Sequence, residues 1–145
     1  MMVSVTDKVR FVETDMMGVV HHSNYFRWFE MARVAFLAKA GLTLGDFLTA
    51  GFLFPIGEVS CSYKAPARFD DAIRIEATLE EFSRVKMAFS YRVVRSADEV
   101  LLAEGRTRNV FTDQSGKICR LPDEYYLPLA ALKEKERQEA GHDGR

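Results

Sequence analysis

The sequence predicts an α+β fold in which an antiparallel β-sheet wraps around one long central α-helix. Two observations carry this expectation. After His22 comes a run in which Tyr25, Phe26, Trp28, Phe29, Met31, Ala32, Val34, Ala35, Phe36, Leu37, Ala38 and Ala40 cover nearly the whole circumference of a helical wheel. A helix apolar all round has to be enclosed by protein or lipid. Its length and the charges at Arg27, Glu30, Arg33 and Lys39 exclude lipid. Downstream, several segments alternate apolar and polar residues at hairpin spacing, the pattern of consecutive antiparallel strands. A curled sheet is therefore the enclosing material.

The elements follow in order. Residues 3–12 alternate, with Val5, Val9 and Phe11 on one face and Ser4, Thr6, Lys8 and Arg10 on the other, which reads as a strand. A loop over residues 14–22 precedes the helix. Ser23 or Asn24 suits the N-cap and Gly41 the C′ position, so the helix spans residues 24–40, roughly 25 Å at ~1.5 Å per residue. Its polar ridge, Arg27, Glu30 and Arg33 at i,i+3 spacing, reads as ion pairs. "TLGDFLTAGF" (residues 43–52) is expected to hold one or two further helical turns.

Strands are expected at residues 56–63, stopped by Pro66, and at 72–81 with Ile73, Ile75, Ala77 and Leu79 inward. Two more are expected at 85–95, with Val85, Met87, Phe89, Tyr91 and Val93 inward, and at 101–111 after a turn at "SADE". "DQSGK" is another turn, and residues 118–121 extend the pairing. Ala103, Gly105 and Thr107 are small residues on one strand face, where a helix can approach closely. Past Pro128, "LKEKERQEAGHDGR" reads as a short amphipathic helix fraying into a disordered end. The chain is thus one domain over residues 1–130 and a charged tail over 131–145.

With 145 residues, 48% of them hydrophobic, and a formal net charge of −1, neither a nucleic-acid footprint nor an anionic membrane surface is indicated. The start, "MMVSVTDKVRF", has no apolar h-region, so no signal peptide is expected. Cys61 and Cys119 lie far apart and outside any CxxC spacing. They read as reduced core or strand residues of a cytoplasmic protein.

The chemistry-bearing stretch is "ETDMMGVVHHSNYFRWFEMARVAFLAKAG", residues 13–41. A helix N-terminus leaves unpaired N–H groups and carries a positive partial charge, and the loop before it delivers Asp15 beside that anion site. A carboxylate that attacks or activates water, with fixed N–H donors holding a carbonyl oxygen, suits acyl transfer. The other reading of Asp15 is a turn aspartate bonding its own backbone. Gly18 permits either a positive φ or close approach of backbone to a ligand, and Gly18, Val19 and Tyr25 are substrate-binding candidates. His21 and His22 lack the i,i+4 spacing of a helical metal pair, and no nearby Cys completes a set, so no metal is expected. His22 is a hydrogen-bonded loop residue or a proton-handling group. Glu30 competes as a catalytic acid, against its structural reading in the ridge.

Three stretches, "ETDMMGVVHHSNYFRWFEMARVAFL", "YKAPARFDDAIRIEATLEE" and "LLAEGRTRNVFTD", resemble acyl-CoA thioester hydrolases of the 4-hydroxybenzoyl-CoA thioesterase type, within the hot-dog superfamily. The likeness runs from about Val5 to Leu121. It implies a sheet wrapped on a long helix, homodimers joined edge to edge or homotetramers built from them, and active sites at the dimer interface. In the family motif the acid of the "TD" pair is catalytic, as nucleophile or general base; that position here is Asp15. The carbonyl-polarising N–H falls at His22, whose side chain is a second candidate. A branch using a helix glutamate would point to Glu30 instead.

No cofactor is implied, since coenzyme A is part of the substrate. Its negative charges direct attention to Arg68, Arg84 and Lys86. Phe52, Phe54 and Phe69 suit an aliphatic chain or an aromatic ring equally, and an acyl carrier protein is an alternative carrier. Two further readings remain. One is a hydratase or dehydratase using His22 and Asp15, against which "VVHHSNY" lacks the His-aromatic-Pro-Gly run of such enzymes. The other is a non-catalytic acyl-CoA-binding module.

Overall fold

The computed structural model describes residues 3–143. Five strands form one antiparallel sheet: β1 (Val3–Lys8), β2 (Ile56–Tyr63), β3 (Ala72–Phe82), β4 (Lys86–Arg95) and β5 (Val100–Val110), in the order β1-β3-β4-β5-β2. The helices are α1 (Ser23–Lys39), α2 (Leu44–Thr49) and α3 (Asp123–Asp143). Register shifts at Leu79/Glu81 and Val93/Val94 interrupt the central ladders. Such bulges bend a sheet, and here the inner face holds α1 through Trp28, Phe29, Ala32, Phe36 and Leu37, all buried. Ile73, Ile75, Ala77 and Leu79 of β3 and Met87, Phe89, Tyr91 and Val93 of β4 face them, as the alternation predicts. No helix is long and apolar enough to cross a membrane among the described residues.

Gly105 is where helix and sheet come closest. A Cβ there would stand 2.4 Å from Phe29 Cζ and 2.8 Å from the Ser60 carbonyl oxygen. Phe29 stacks on Tyr91 with ring centroids 4.3 Å apart. The stripe of small residues on β5 is therefore a seat for an aromatic ring.

Several expectations need correction. β1 ends at Lys8, because its partner β3 begins at Ala72, the residue opposite Lys8. The chain then makes a single 3-10 turn at Phe11–Glu13, which leaves Phe11 exposed instead of inward. Residues 118–121 form no strand; Ile118 makes one isolated bridge to Thr112. α3 starts at Asp123, includes Pro128, and buries Tyr125, Leu129 and Leu132 against the core. The tail helix is thus longer than its charge pattern suggests, and residues 144–145 of the expected disordered end lie outside the described residues.

The polar ridge on α1 does not form. At about 100° per residue, three-residue steps drift around the axis by about 60° each. Arg33 therefore lands on the sheet side with Phe29, Phe36 and Leu37 and is 8% exposed, while Arg27 turns to Glu13. Glu30 stays exposed. Nor does one chain enclose the helix completely: Phe26 and Val34 are each 37% exposed, on the side away from the sheet.

Candidate active site

After the 3-10 turn the chain doubles back on itself. The Glu13 carbonyl accepts from His21 N–H (2.9 Å), Asp15 N–H donates to the Val19 carbonyl (2.9 Å), and Gly18 N–H donates to the Asp15 carbonyl (3.0 Å). The hairpin tip needs Gly18 at φ +78°, a conformation that only glycine adopts at no steric cost. Val20 N–H donates to the Ala67 carbonyl (2.8 Å), and Val19 bridges Arg68. The fold thereby gathers Asp15, Gly18, Val19 and Arg68 from two separate segments.

Asp15 is half-buried, and its Oδ1 accepts from Met17 N–H at 2.8 Å. That is the turn bond of the structural reading, but it engages one oxygen only. Asp15 Oδ2 has no hydrogen-bond partner among the described residues.

At the helix mouth most early N–H groups are already used. Ser23 N–H donates to His21 Nδ1 (3.3 Å), Asn24 N–H to the His21 carbonyl (3.0 Å), and Tyr25 N–H to the His22 carbonyl (3.3 Å). His22 N–H has no acceptor among the described residues. His22, not Ser23 or Asn24, is the N-cap, with no side-chain cap. Asn24 instead donates its amide to the Glu13 carbonyl (3.0 Å), binding the loop to the helix. The His22 ring is exposed and lies edge-on to Tyr63. Tyr63 also donates its hydroxyl to the His22 carbonyl (3.3 Å), so β2 pins the mouth of α1. Tyr25 is buried and packs on Trp28 and Tyr63, and burial pushes its phenol up to about 12. It is a floor beneath the mouth, not a solvent-facing group.

Glu13 is the residue that sequence reasoning missed. It is 2% exposed, and its carboxylate accepts from Arg10 N–H (2.7 Å), from Trp28 Nε1 (3.2 Å) and from Arg27 Nη2. A buried carboxylate persists only where donors replace water. The donors on Arg27 and Trp28 come from the helix, so Glu13 ties the base of the Asp15 hairpin to α1. Only Arg10, three residues away, gave a local hint. In Glu13→Gln the amide would turn a donor toward groups that themselves donate. We expect a loss of about 2 kcal/mol in urea unfolding, discounted for the half-exposed Arg27. Turnover should fall with it; unchanged stability would show that Glu13 is not the anchor.

Arg84 and Lys86 are not brought to this site within one chain. β3 carries the chain away from Arg68 by about 35 Å at ~3.3 Å per residue. Arg84 there pairs with Asp123 (2.7 Å), donates to the Leu121 carbonyl (3.0 Å) and lies over the Tyr126 ring. Within one chain Arg84 thereby ties α3 to the turn between β3 and β4.

Burial also pushes the Cys61 thiol up, against a Tyr63 hydrogen bond acting the other way, and burial raises Cys119. With little thiolate available, both should react slowly with a disulfide dye near neutral pH. Rapid labelling of two thiols per folded chain would contradict this.

Residues 9–131 match the model of the thioesterase-like superfamily. The chain is 30% identical over 122 residues to the 1,4-dihydroxy-2-naphthoyl-CoA hydrolase of Synechococcus sp. (strain CC9605), covering 79% of this chain and 80% of that one. It is 28% identical over 106 residues to the acyl-CoA thioester hydrolase YbgC of Escherichia coli O6:H1, covering 73% and 78%. Among solved structures, a Thermus thermophilus protein superposes with TM-score 0.84 at 41% identity, over 90% of this chain and 98% of that one. The DHNA-CoA thioesterase of Staphylococcus aureus superposes with TM-score 0.85 at 26% identity, over 99% and 95%. A sheet curled on one long helix and a family match over most of the chain agree: this protein belongs to the thioesterase-like superfamily of hot-dog thioester hydrolases.

Proposed function

We propose that the protein hydrolyses acyl-CoA thioesters to a carboxylic acid and free coenzyme A, with Asp15 as nucleophile or general base. The observation that carries this reading is one loop, closed by the His21–Glu13 backbone bond, that holds Asp15 with its Oδ2 unpartnered among the described residues and ends at His22, the N-cap of α1, whose N–H has no acceptor among them. As water or the carboxylate adds to the thioester carbonyl, its oxygen becomes an anion. A fixed N–H donor beside a helix N-terminus lowers that barrier. Collapse of the adduct expels the thiolate, giving the free acid directly when water adds, or an acyl anhydride on Asp15 that water then hydrolyses when the carboxylate adds. Arg68, exposed and bridged to Val19, is the cation best placed to receive a coenzyme A phosphate, and Gly18 lets the backbone approach the substrate.

We further propose that the working unit is a dimer paired along β2. That strand is an open edge with Ile56, Val59 and Tyr63 each close to half exposed, and open edges invite a partner strand. The same association would cover Phe26 and Val34 on α1. Light scattering should give at least twice the chain mass.

The activity is tested by thiol release across acyl-CoAs from acetyl to palmitoyl, with benzoyl and hydroxybenzoyl esters included. Release from at least one is expected. No release from any of them, nor from an acyl carrier protein thioester, would overturn the reading.

A further inference from the structure

Arg33 lies inside the fold at 8% exposure and carries a permanent positive charge. Its partners are neutral: Nη1 donates to Tyr91 Oη (3.0 Å) and Thr107 Oγ1 (3.4 Å), and no carboxylate pairs with it among the described residues. A buried cation without an anion is costly. Asn109 Oδ1 is the one side-chain polar atom among the described residues that is both sealed from solvent and without a hydrogen-bond partner, so the unbonded N–H groups of the guanidinium are not sealed. They open on a cavity of about 240 Å³ whose walls include Glu30, Val34 and Ile56 beside Arg33 itself.

Glu30 is the opposite case, an exposed carboxylate at the same cavity with no ion pair among the described residues. Arg27, one turn before it, is taken by Glu13, and Arg33, one turn after it, is turned to the sheet. Two unlike charges on one helical turn thus each lack a counter-ion, and within the chain they do not meet.

Their level along the fold is fixed by β5. Phe29 packs on Gly105, which pairs with Cys61, and Arg33 bonds Thr107, which pairs with Val59. The turn from Glu30 to Arg33 therefore stands level with the segment from Cys61 to Val59, the middle of β2. Two identical edge strands that pair antiparallel along their length have a two-fold axis through that middle. At such an axis the helical turn faces its own copy running the other way. Glu30 of one chain then comes to the level of Arg33 of the other, the two positions being about 4.5 Å apart along a helix at ~1.5 Å per residue. Ile56 (45% exposed) and Val34 (37%) add apolar surface at the same seam.

We propose that a second copy of the chain supplies the missing counter-ion: Arg33 of each protomer pairs with the partner's Glu30, and two reciprocal ion pairs close the seam between the long helices over the joined β2 strands. This rests on the β2 dimer proposed above and names the charges that select its geometry. Each guanidinium site is complete only in the assembly. Because the contact is isologous it occurs twice, and one substitution acts twice. Opposed charges of this kind reject wrong partners and fix register.

The test is the dimer dissociation constant, from sedimentation velocity across a dilution series, for the parent, Glu30→Arg, Arg33→Glu and an equimolar mixture of the two variants. Each variant alone sets like charges against each other at both contacts and should raise the constant about 100-fold or more. In the mixture every contact again joins opposite charges, and the heterodimer should return to within about tenfold of the parent. A pair formed within one chain gains nothing from mixing. If Arg33→Glu folds poorly, Arg33→Gln takes its place, with one pair restored and the repulsion at the other removed. Dimerisation of Glu30→Arg as tight as the parent's would overturn the proposal while leaving the β2 dimer in place, as would a mixture no tighter than its components. A monomeric parent would sink the dimer and this pairing together. Hydrolysis is read separately, by thiol release from the parent protein.

Discussion

Asp15→Asn should lower turnover by about 100- to 10,000-fold, the range a positioned general base contributes, while leaving the folded protein almost unchanged. The geometry makes this substitution unusually clean. Asp15 Oδ1 accepts from Met17 N–H and holds the hairpin, and an asparagine carbonyl makes the same turn bond. What the substitution removes is the negative charge and basicity of Oδ2, the oxygen that no described residue engages. Thermal unfolding should therefore move by no more than about 2 °C while thiol release collapses. Asp15→Ala removes the turn bond as well and separates the two roles, since it should lose stability in addition to activity. Near-normal hydrolysis by Asp15→Asn would leave Asp15 as a turn residue only and would move the chemistry elsewhere, with the exposed Glu30 the first alternative.

Gly105→Ala should produce the opposite pattern, a large loss of stability from a methyl group far from any chemistry. The added Cβ would stand within 2.5 Å of two Phe29 ring carbons and 2.8 Å from the Ser60 carbonyl. Neither neighbour can retreat easily. Phe29 is sandwiched against Tyr91, and Ser60 belongs to the β2 backbone, whose next residue, Cys61, pairs with Gly105 itself. Overpacking of a close-packed core costs about 1–3 kcal/mol and occasionally more. We expect the upper end, about 3 kcal/mol, or a fall in melting temperature of about 10 °C. Adding Phe29→Leu should restore part of the loss relative to the two single changes, because it vacates the space that the methyl group enters. A Gly105→Ala protein melting within about 2 °C of the parent would show that Gly105 is not a point of close approach between helix and sheet.

The seat for Phe29 was legible in advance as small residues on one strand face, and so were the helix and the strands. β2 was legible to the residue, Ile56–Tyr63, because Pro66 and the turn residues bound it. Gly41, predicted as the residue ending α1, has φ +81°. Asp15, Gly18 and Val19 were legible as a group because they are neighbours in one loop. Arg68 is marked in the sequence by its charge alone, and only the bridge to Val19 brings it to that loop. Arg84 carries the same charge signal, and only the fold shows its ion pair with Asp123 of α3. Glu13 is not legible in the sequence because its helix partners, Arg27 and Trp28, are fourteen and fifteen residues away, beyond any local pattern.

By itself, then, the sequence determined which segments are helix and strand, which faces are apolar, and which loop precedes the long helix. These depend on periodicity, on turn residues and on groups a few bonds apart. Tertiary structure alone decided which side of an all-round apolar helix the sheet covers, leaving Phe26 and Val34 at the surface. It also decided that Arg33 turns inward to Tyr91 while Arg27 turns to Glu13, and that β1 stops where β3 begins. The physical reason is that polar pairing and burial are settled by whichever surfaces meet in space, and residues that meet after folding carry no mark of one another along the chain.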